Sequence, residues 1–79
     1  MIPIDDLINK IKWDERENPE EYVIVYQDLH EEKKMPYTDI EHLEGHTMVL
    51  KTGTEIPLHR IRKVIKQGKV IWQRDSRQA

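Results

Sequence analysis

The 79-residue chain has no cysteine, no phenylalanine, three glycines and a single serine, and no apolar run in it approaches the ~20 residues of a membrane span. Each absence excludes something. Without cysteine there are no disulfides and no thiolate metal sites, which is compatible with a reducing compartment. Gly45, Gly53 and Gly68 are too scattered to build a glycine-rich phosphate loop. The lone serine, Ser76, stands near the C-terminus, a poor place for a nucleophile. The start, Met1-Ile2-Pro3-Ile4-Asp5-Asp6, lacks the basic opening and apolar stretch of a secretory signal. These points set the expectation of a soluble cytoplasmic protein without a membrane segment, folded as one small domain over 1–79 with a frayed tail at 75–79. With no phenylalanine, the core must rest on Ile, Val and Leu, aided by Trp13, Trp72 and three tyrosines. A chain this short builds a modest core, which leaves room for dimerisation or docking on a larger protein. The oligomeric state stays open.

What is present is charge, and it is unevenly placed. The formal net charge is only -2. Yet residues 1–45 carry five basic and thirteen acidic side chains, whereas residues 46–79 carry eight basic and two acidic ones. Such a split implies either a polyanionic partner at one end of the fold or pairing between the halves.

Ile4, Leu7, Ile8 and Ile11 fall on one helical stripe. Pro3 suits a helix start, with Asp5 and Asp6 at the positive end of its dipole and Lys10 and Lys12 at the other, so a helix is expected near 3–12. Tyr22-Val23-Ile24-Val25-Tyr26 reads as a central strand. Leu29 to Lys34 reads as a polar connection, and Met35 to Ile40 as a short edge strand, since Pro36 cannot donate to a ladder. His46 to Lys51 and Thr54 to Ile56 form an expected hairpin across Thr52-Gly53. Two readings compete over 58–74: a helix with Leu58, Ile61 and Ile65 on one face, or a hairpin of strands 61–66 and 69–74 turning at Gln67-Gly68. The β-branched content favours the hairpin, with Ile65 facing Val70, Lys63 facing Trp72 and Ile61 facing Arg74, although it sets Lys66 against Lys69. The expected fold is α+β, one N-terminal helix followed by about five short antiparallel strands. No internal repeat is apparent.

The basic cluster His59, Arg60, Arg62, Lys63, Lys66, Lys69 and Arg74 carries the chemistry. A guanidinium presents a planar fork that matches two phosphate oxygens, and lysine a mobile point charge. Pro57 fixes the backbone just ahead of the cluster, and Trp72 offers a stacking face. The competing reading is a solvated face, or pairing with the acids of 14–21 and 28–32. His42 and His46, four apart, have a spacing that zinc accepts on a helix, but Gly45 interrupts it. One histidine at 59 is not a mechanism, paired His-x-Thr/Ser motifs are missing, and no cofactor motif is present. The expectation is a protein that is not an enzyme and carries no metal or cofactor.

Several positions together resemble one family. They are Ile2-Pro3-Ile4 with Leu7 and Ile11, Trp13-Asp14, Tyr22 to Asp28, Pro36 to Ile40, and Ile56-Pro57-Leu58-His59-Arg60-Ile61-Arg62 followed by Gly68, Val70, Ile71, Trp72 and Arg74. The pattern is similar to the small, mostly archaeal RNA-repair-type domain, also described as an RNA cyclic-phosphate-end recognition domain. The resemblance implies a non-catalytic module engaging RNA ends that bear a 2′,3′-cyclic phosphate, with relatives joined to RNA end-processing enzymes. His59 and Arg60 would be its phosphate contacts, with Arg62 next. On this reading Lys66, Lys69 and Arg74 add contacts to neighbouring phosphates or the RNA face, and Trp72 stacks on a terminal base if exposed. The acidic first half would repel a continuing strand and restrict binding to an end or loop. Two alternatives stand beside it: a module docking on an RNA-processing enzyme with Arg60 and His59 in internal salt bridges, and a small phosphodiesterase.

Overall fold

A computed structural model describes residues 3–74; the expected frayed tail at 75–79 lies outside them. The fold is α+β, with one helix, α1 (Ile4–Trp13), and seven strands rather than five. In chain order these are β1 (Tyr22–Asp28), β2 (Glu31–Pro36), β3 (Ile40–Glu44), β4 (Thr47–Leu50), β5 (Glu55–Pro57), β6 (Ile61–Lys66) and β7 (Lys69–Gln73). They form two antiparallel sheets, one of order β2-β1-β6-β7 and one of order β3-β4-β5. No described helix is long and apolar enough to cross a membrane.

Helix α1 forms where the stripe and charges place it, one residue later than expected at each end. Pro3 takes φ -61° and ψ 151°, its carbonyl accepts from the Leu7 amide at 3.1 Å, and the Asp14 amide closes the far end on Lys10. Ile4, Leu7, Ile8 and Ile11 are buried in one core cluster with Ile24, Met48, Ile61 and Val64, all nearly sealed from solvent.

Strand β1 is central, as its doubly apolar sequence implies, between β2 and β6. Residues 29–34 are not a plain connection. Leu29 and His30 make a tight turn and Glu31 begins β2, whose first four residues are exposed. The segment 35–40 is split: Met35 and Pro36 end β2, Tyr37–Asp39 is a 3-10 turn, and Ile40 opens β3. The hairpin over 61–74 forms, and its register departs from the expected one. Ile65 opposes Val70 and Lys66 opposes Lys69, but a bulge at Ile71 sets Val64 against Trp72 and Lys63 against Gln73. An extra residue in one strand swaps the faces beyond it, which turns Trp72 inward. Gln67 and Gly68 both have positive φ, 52° and 83°, the geometry of a two-residue hairpin turn.

A short motif recurs, contrary to the expectation of no repeat. Met35-Pro36-Tyr37-Thr38-Asp39-Ile40 and Ile56-Pro57-Leu58-His59-Arg60-Ile61 both run strand, proline, 3-10 turn, strand. Pro36 and Pro57 have nearly the same backbone angles, φ -65° and ψ 144° against φ -60° and ψ 139°. At these two corners the chain passes from the larger sheet to the smaller and back. The apolar residues at the first, third and sixth positions are buried in both copies. The fourth and fifth positions carry no such packing duty, and in the second copy they are His59 and Arg60.

Candidate functional site

The second corner is held from several directions. Leu58 and Ile61 anchor it in the core, and the Leu58 amide donates to the His46 carbonyl at 2.8 Å. From behind, Arg74 donates through Nε to the Ile61 carbonyl at 2.9 Å and through Nη2 to the Leu58 carbonyl at 3.1 Å. The Arg74 amide also reaches the Arg62 carbonyl at 2.8 Å. His59 and Arg60 project from this fixed turn as exposed side chains. Neither has an ion-pair or hydrogen-bond partner among the described residues.

Beside them, Arg62 is oriented by Gln27, whose Oε1 accepts from Nε at 3.1 Å and Nη2 at 2.8 Å. A guanidinium has five N–H donors, so three remain for a ligand. Gln27, Leu29, His59, Arg60 and Arg62 line a cleft of about 260 Å³, with no carboxylate among the described residues that line it. That volume lies below the ~300–1,000 Å³ of pockets that enclose a drug-sized ligand, and suits a phosphate with its sugar. Two acids of the segments expected to pair with the basic cluster are engaged elsewhere. Asp14 pairs with Arg16 at 3.2 Å, and Asp28 pairs with Lys33 at 3.0 Å. The Arg16 guanidinium holds the Asp14 carboxyl below its usual range, and Asp28 raises the Lys33 ammonium.

Of the seven side chains expected at the site, His59, Arg60 and Arg62 converge on the cleft, and the other four do not. Trp72 is buried in the core because of the bulge, with the Arg74 guanidinium 5.4 Å from its ring. Arg74 faces backbone carbonyls, so it supports the turn instead of presenting donors outward. Lys66 and Lys69 sit at the far end of the hairpin, ~13 Å from Arg62 by strand rise. Lys66 is also taken: its ammonium lies 3.2 Å from Glu17 and 5.5 Å over the Tyr22 ring, while the Tyr22 hydroxyl donates to the same carboxylate. The Tyr22 hydroxyl and then Lys66 hold the Glu17 carboxyl below its usual range, and Glu17 raises Lys66. Burial, followed by Glu17, raises the Tyr22 phenol.

Two cleft residues escaped sequence reasoning. Gln27 gives no signal in the sequence, being one polar residue at the end of an apolar strand. Leu29 does give one: a lone leucine between Asp28 and His30, outside any periodic stripe. It is 82 % exposed and holds φ 59°, left-handed geometry that a branched side chain rarely adopts. His42 and His46 lie on a strand and in a turn, not on one helical face. No group of three or more His, Cys, Asp or Glu suited to a metal occurs among the described residues.

Comparison with known proteins identifies a family. A family model described as MJ1316 RNA cyclic group end recognition domain matches residues 1–74. A UPF0248 protein of Pyrococcus horikoshii is 39% identical over 74 residues, covering 89% of this chain and 87% of that protein. One from Saccharolobus solfataricus is 36% identical over 77 residues, covering 90% and 95%. Another from Thermococcus sibiricus is 40% identical over 78 residues, covering 90% and 84%. No solved structure matches.

Proposed function

Since the chain belongs to the family of the MJ1316 RNA cyclic group end recognition domain, we propose that it is a non-catalytic cytoplasmic module that binds phosphate-bearing RNA ends, with 2′,3′-cyclic phosphate as the preferred terminus. Its partner in the cell is an RNA end, and RNA repair or processing is the setting. The observation that carries the reading is the cleft at the second corner, where His59, Arg60 and Arg62 come together with no carboxylate among the described residues of the lining. Arg60 grips phosphate oxygens, His59 donates to the cyclic phosphate or the ribose edge, and Arg62 takes the remaining oxygen. The Leu29 side chain at the rim covers the apolar edge of the terminal nucleoside.

Docking on a protein with Arg60 and His59 in internal salt bridges finds less support, because Asp14 and Asp28 are paired with Arg16 and Lys33. A phosphodiesterase would need a second acid or base beside His59, and none is among the described residues of the cleft lining. The test is binding of a short single-stranded RNA ending in 2′,3′-cyclic phosphate, beside the same RNA ending in 3′-hydroxyl, at two salt concentrations. Preference for the cyclic end that disappears in Arg60→Ala is the expected result. Equal binding of both ends, untouched by the substitution, would refute the reading.

A further inference from the structure

The cleft uses only the edge of a larger surface. In the four-stranded sheet, alternate residues face the core cluster and the opposite, outer side. Strand register lays out that outer side in rows. Gln27 and Arg62, joined by their hydrogen bonds, form the row at the cleft. In the next row, Val25 lies between Lys34 of β2 and Lys63 of β6. In the row after, Val23 lies between Pro36 and Ile65, and Ile65 opposes Val70.

Val25 is unusual within this pattern. It is only 2 % exposed, yet it does not belong to the main core cluster. Its partners in register on this face are Lys34, which is exposed, and Lys63, which is half-buried. Neither lysine has an ion-pair partner among the described residues. Glu32, in register with Gln27, is the acid that the pairing places on this side.

We propose that a single strand of RNA whose end occupies the cleft continues over this outer face. Its next phosphates meet Lys63 and then Lys34, and its bases lie against the row of Val23, Ile65 and Val70. The inference rests on the end-binding reading above. Rows two residues apart are separated by ~7 Å, about one nucleotide of an extended strand, and Lys63 and Lys34, two strands apart in one row, by ~10 Å. A duplex keeps its bases stacked inside and cannot lay them on an apolar row, so the surface selects a single strand. The four cations Arg60, Arg62, Lys63 and Lys34 against the one acid Glu32 favour a polyanion here over a protein partner, which would use the apolar row alone.

The experiment compares 2′,3′-cyclic-phosphate-ended RNAs of increasing length, starting from the cyclic mononucleotide, against the intact chain. It includes Lys63→Gln and Lys34→Gln, which remove the charge and keep a polar side chain, and Arg60→Ala. Affinity is expected to rise over the first few nucleotides and then level off. Lys63→Gln should weaken the longer RNAs by roughly fivefold, lower their salt slope by about 0.7, and leave the cyclic mononucleotide unchanged. Arg60→Ala should weaken every length. Affinity that depends on Arg60 but not on length would overturn the strand path alone. Longer RNAs that bind with no dependence on Arg60 would overturn the end-binding reading and this inference with it.

Discussion

Gln27 and Arg62, 35 residues apart in sequence, meet through one oxygen: Oε1 of Gln27 accepts from both Nε and Nη2 of Arg62. The contact depends on a bulge. Val25 opposes Lys63 and Tyr26 opposes Ile61, so Arg62 is the extra residue on β6. A bulge turns such a residue out of strict alternation, and here it brings the guanidinium toward the cleft.

Removing the amide should therefore loosen Arg62 without harming the fold. Gln27→Ala is expected to weaken binding of a cyclic-phosphate RNA end by about fivefold, the equivalent of ~1 kcal/mol for a partly exposed hydrogen bond. Thermal unfolding should change little, since both groups are only half-buried. Gln27→Glu should weaken binding further, because a carboxylate would neutralise Arg62. Fluorescence anisotropy with a labelled oligonucleotide checks both.

Leu29 combines a strained backbone with an exposed side chain at the cleft rim. Strain of this kind persists where something else selects for it. Leu29→Gly should raise stability by up to ~1 kcal/mol, since left-handed geometry costs a non-glycine residue about that much. The same change should weaken RNA-end binding. Chemical denaturation and a binding titration on one preparation test the opposed signs; a variant that gains stability and keeps full affinity would remove Leu29 from the site.

The sequence announced some elements and hid others, for physical reasons. Helix α1 was legible because Ile4, Leu7, Ile8 and Ile11 repeat at helical spacing, and β1 because its apolar residues crowd both faces. Strand β2 was not, since Glu31 to Lys34 form an edge that leaves them exposed and erases any alternation. Such charge on an edge also discourages pairing with another chain. His59 and Arg60 could be singled out as the head of the basic cluster after Pro57, and the corner motif accounts for their exposure, since it buries its first, third and sixth residues. Lys66, Trp72 and Arg74 looked equally basic or aromatic, but their roles depend on Glu17, on the bulge at Ile71 and on two backbone carbonyls. Nothing local encodes those partners.

Arg74 should behave as a positioning residue. Its guanidinium satisfies the Leu58 and Ile61 carbonyls that bracket His59 and Arg60, and its ring contact with Trp72 ties it to the core. Arg74→Ala is expected to cost roughly 1–3 kcal/mol of stability and to lower affinity for both cyclic and open ends. Arg74→Lys should recover part of the stability, because an ammonium reaches one carbonyl, not two. Backbone amide shifts of His59 and Arg60 in NMR spectra should move in both variants, well before global unfolding. Unchanged shifts at those amides would leave Arg74 with a purely structural role.

The Glu17–Tyr22–Lys66 cluster predicts how stability depends on pH, independently of RNA binding. Glu17 is held below its usual 4.5, so its contribution is complete above that pH and is lost as pH falls through the depressed value. Lys66 is raised above its usual 10.5, so its contribution is complete below that pH and is lost as pH rises through the raised value. The Tyr22 phenol is raised above its usual 10.0 and adds to the same alkaline loss, because the unfolded chain gives up its proton first. Tyr37, pushed up to about 12 by burial with its hydroxyl donating to the Ile8 carbonyl at 2.8 Å, extends that edge further. Glu17→Gln should flatten the acid edge and weaken the alkaline one. Lys66→Gln should trim the alkaline edge and, by removing one of the groups that hold Glu17 down, part of the acid edge, and should leave binding to the cyclic mononucleotide unchanged, since Lys66 is committed to Glu17 at the far end of the hairpin. Thermal melts across the acid and alkaline ranges, paired with binding at neutral pH, separate the two claims. Loss of mononucleotide binding in Lys66→Gln would return Lys66 to the phosphate site.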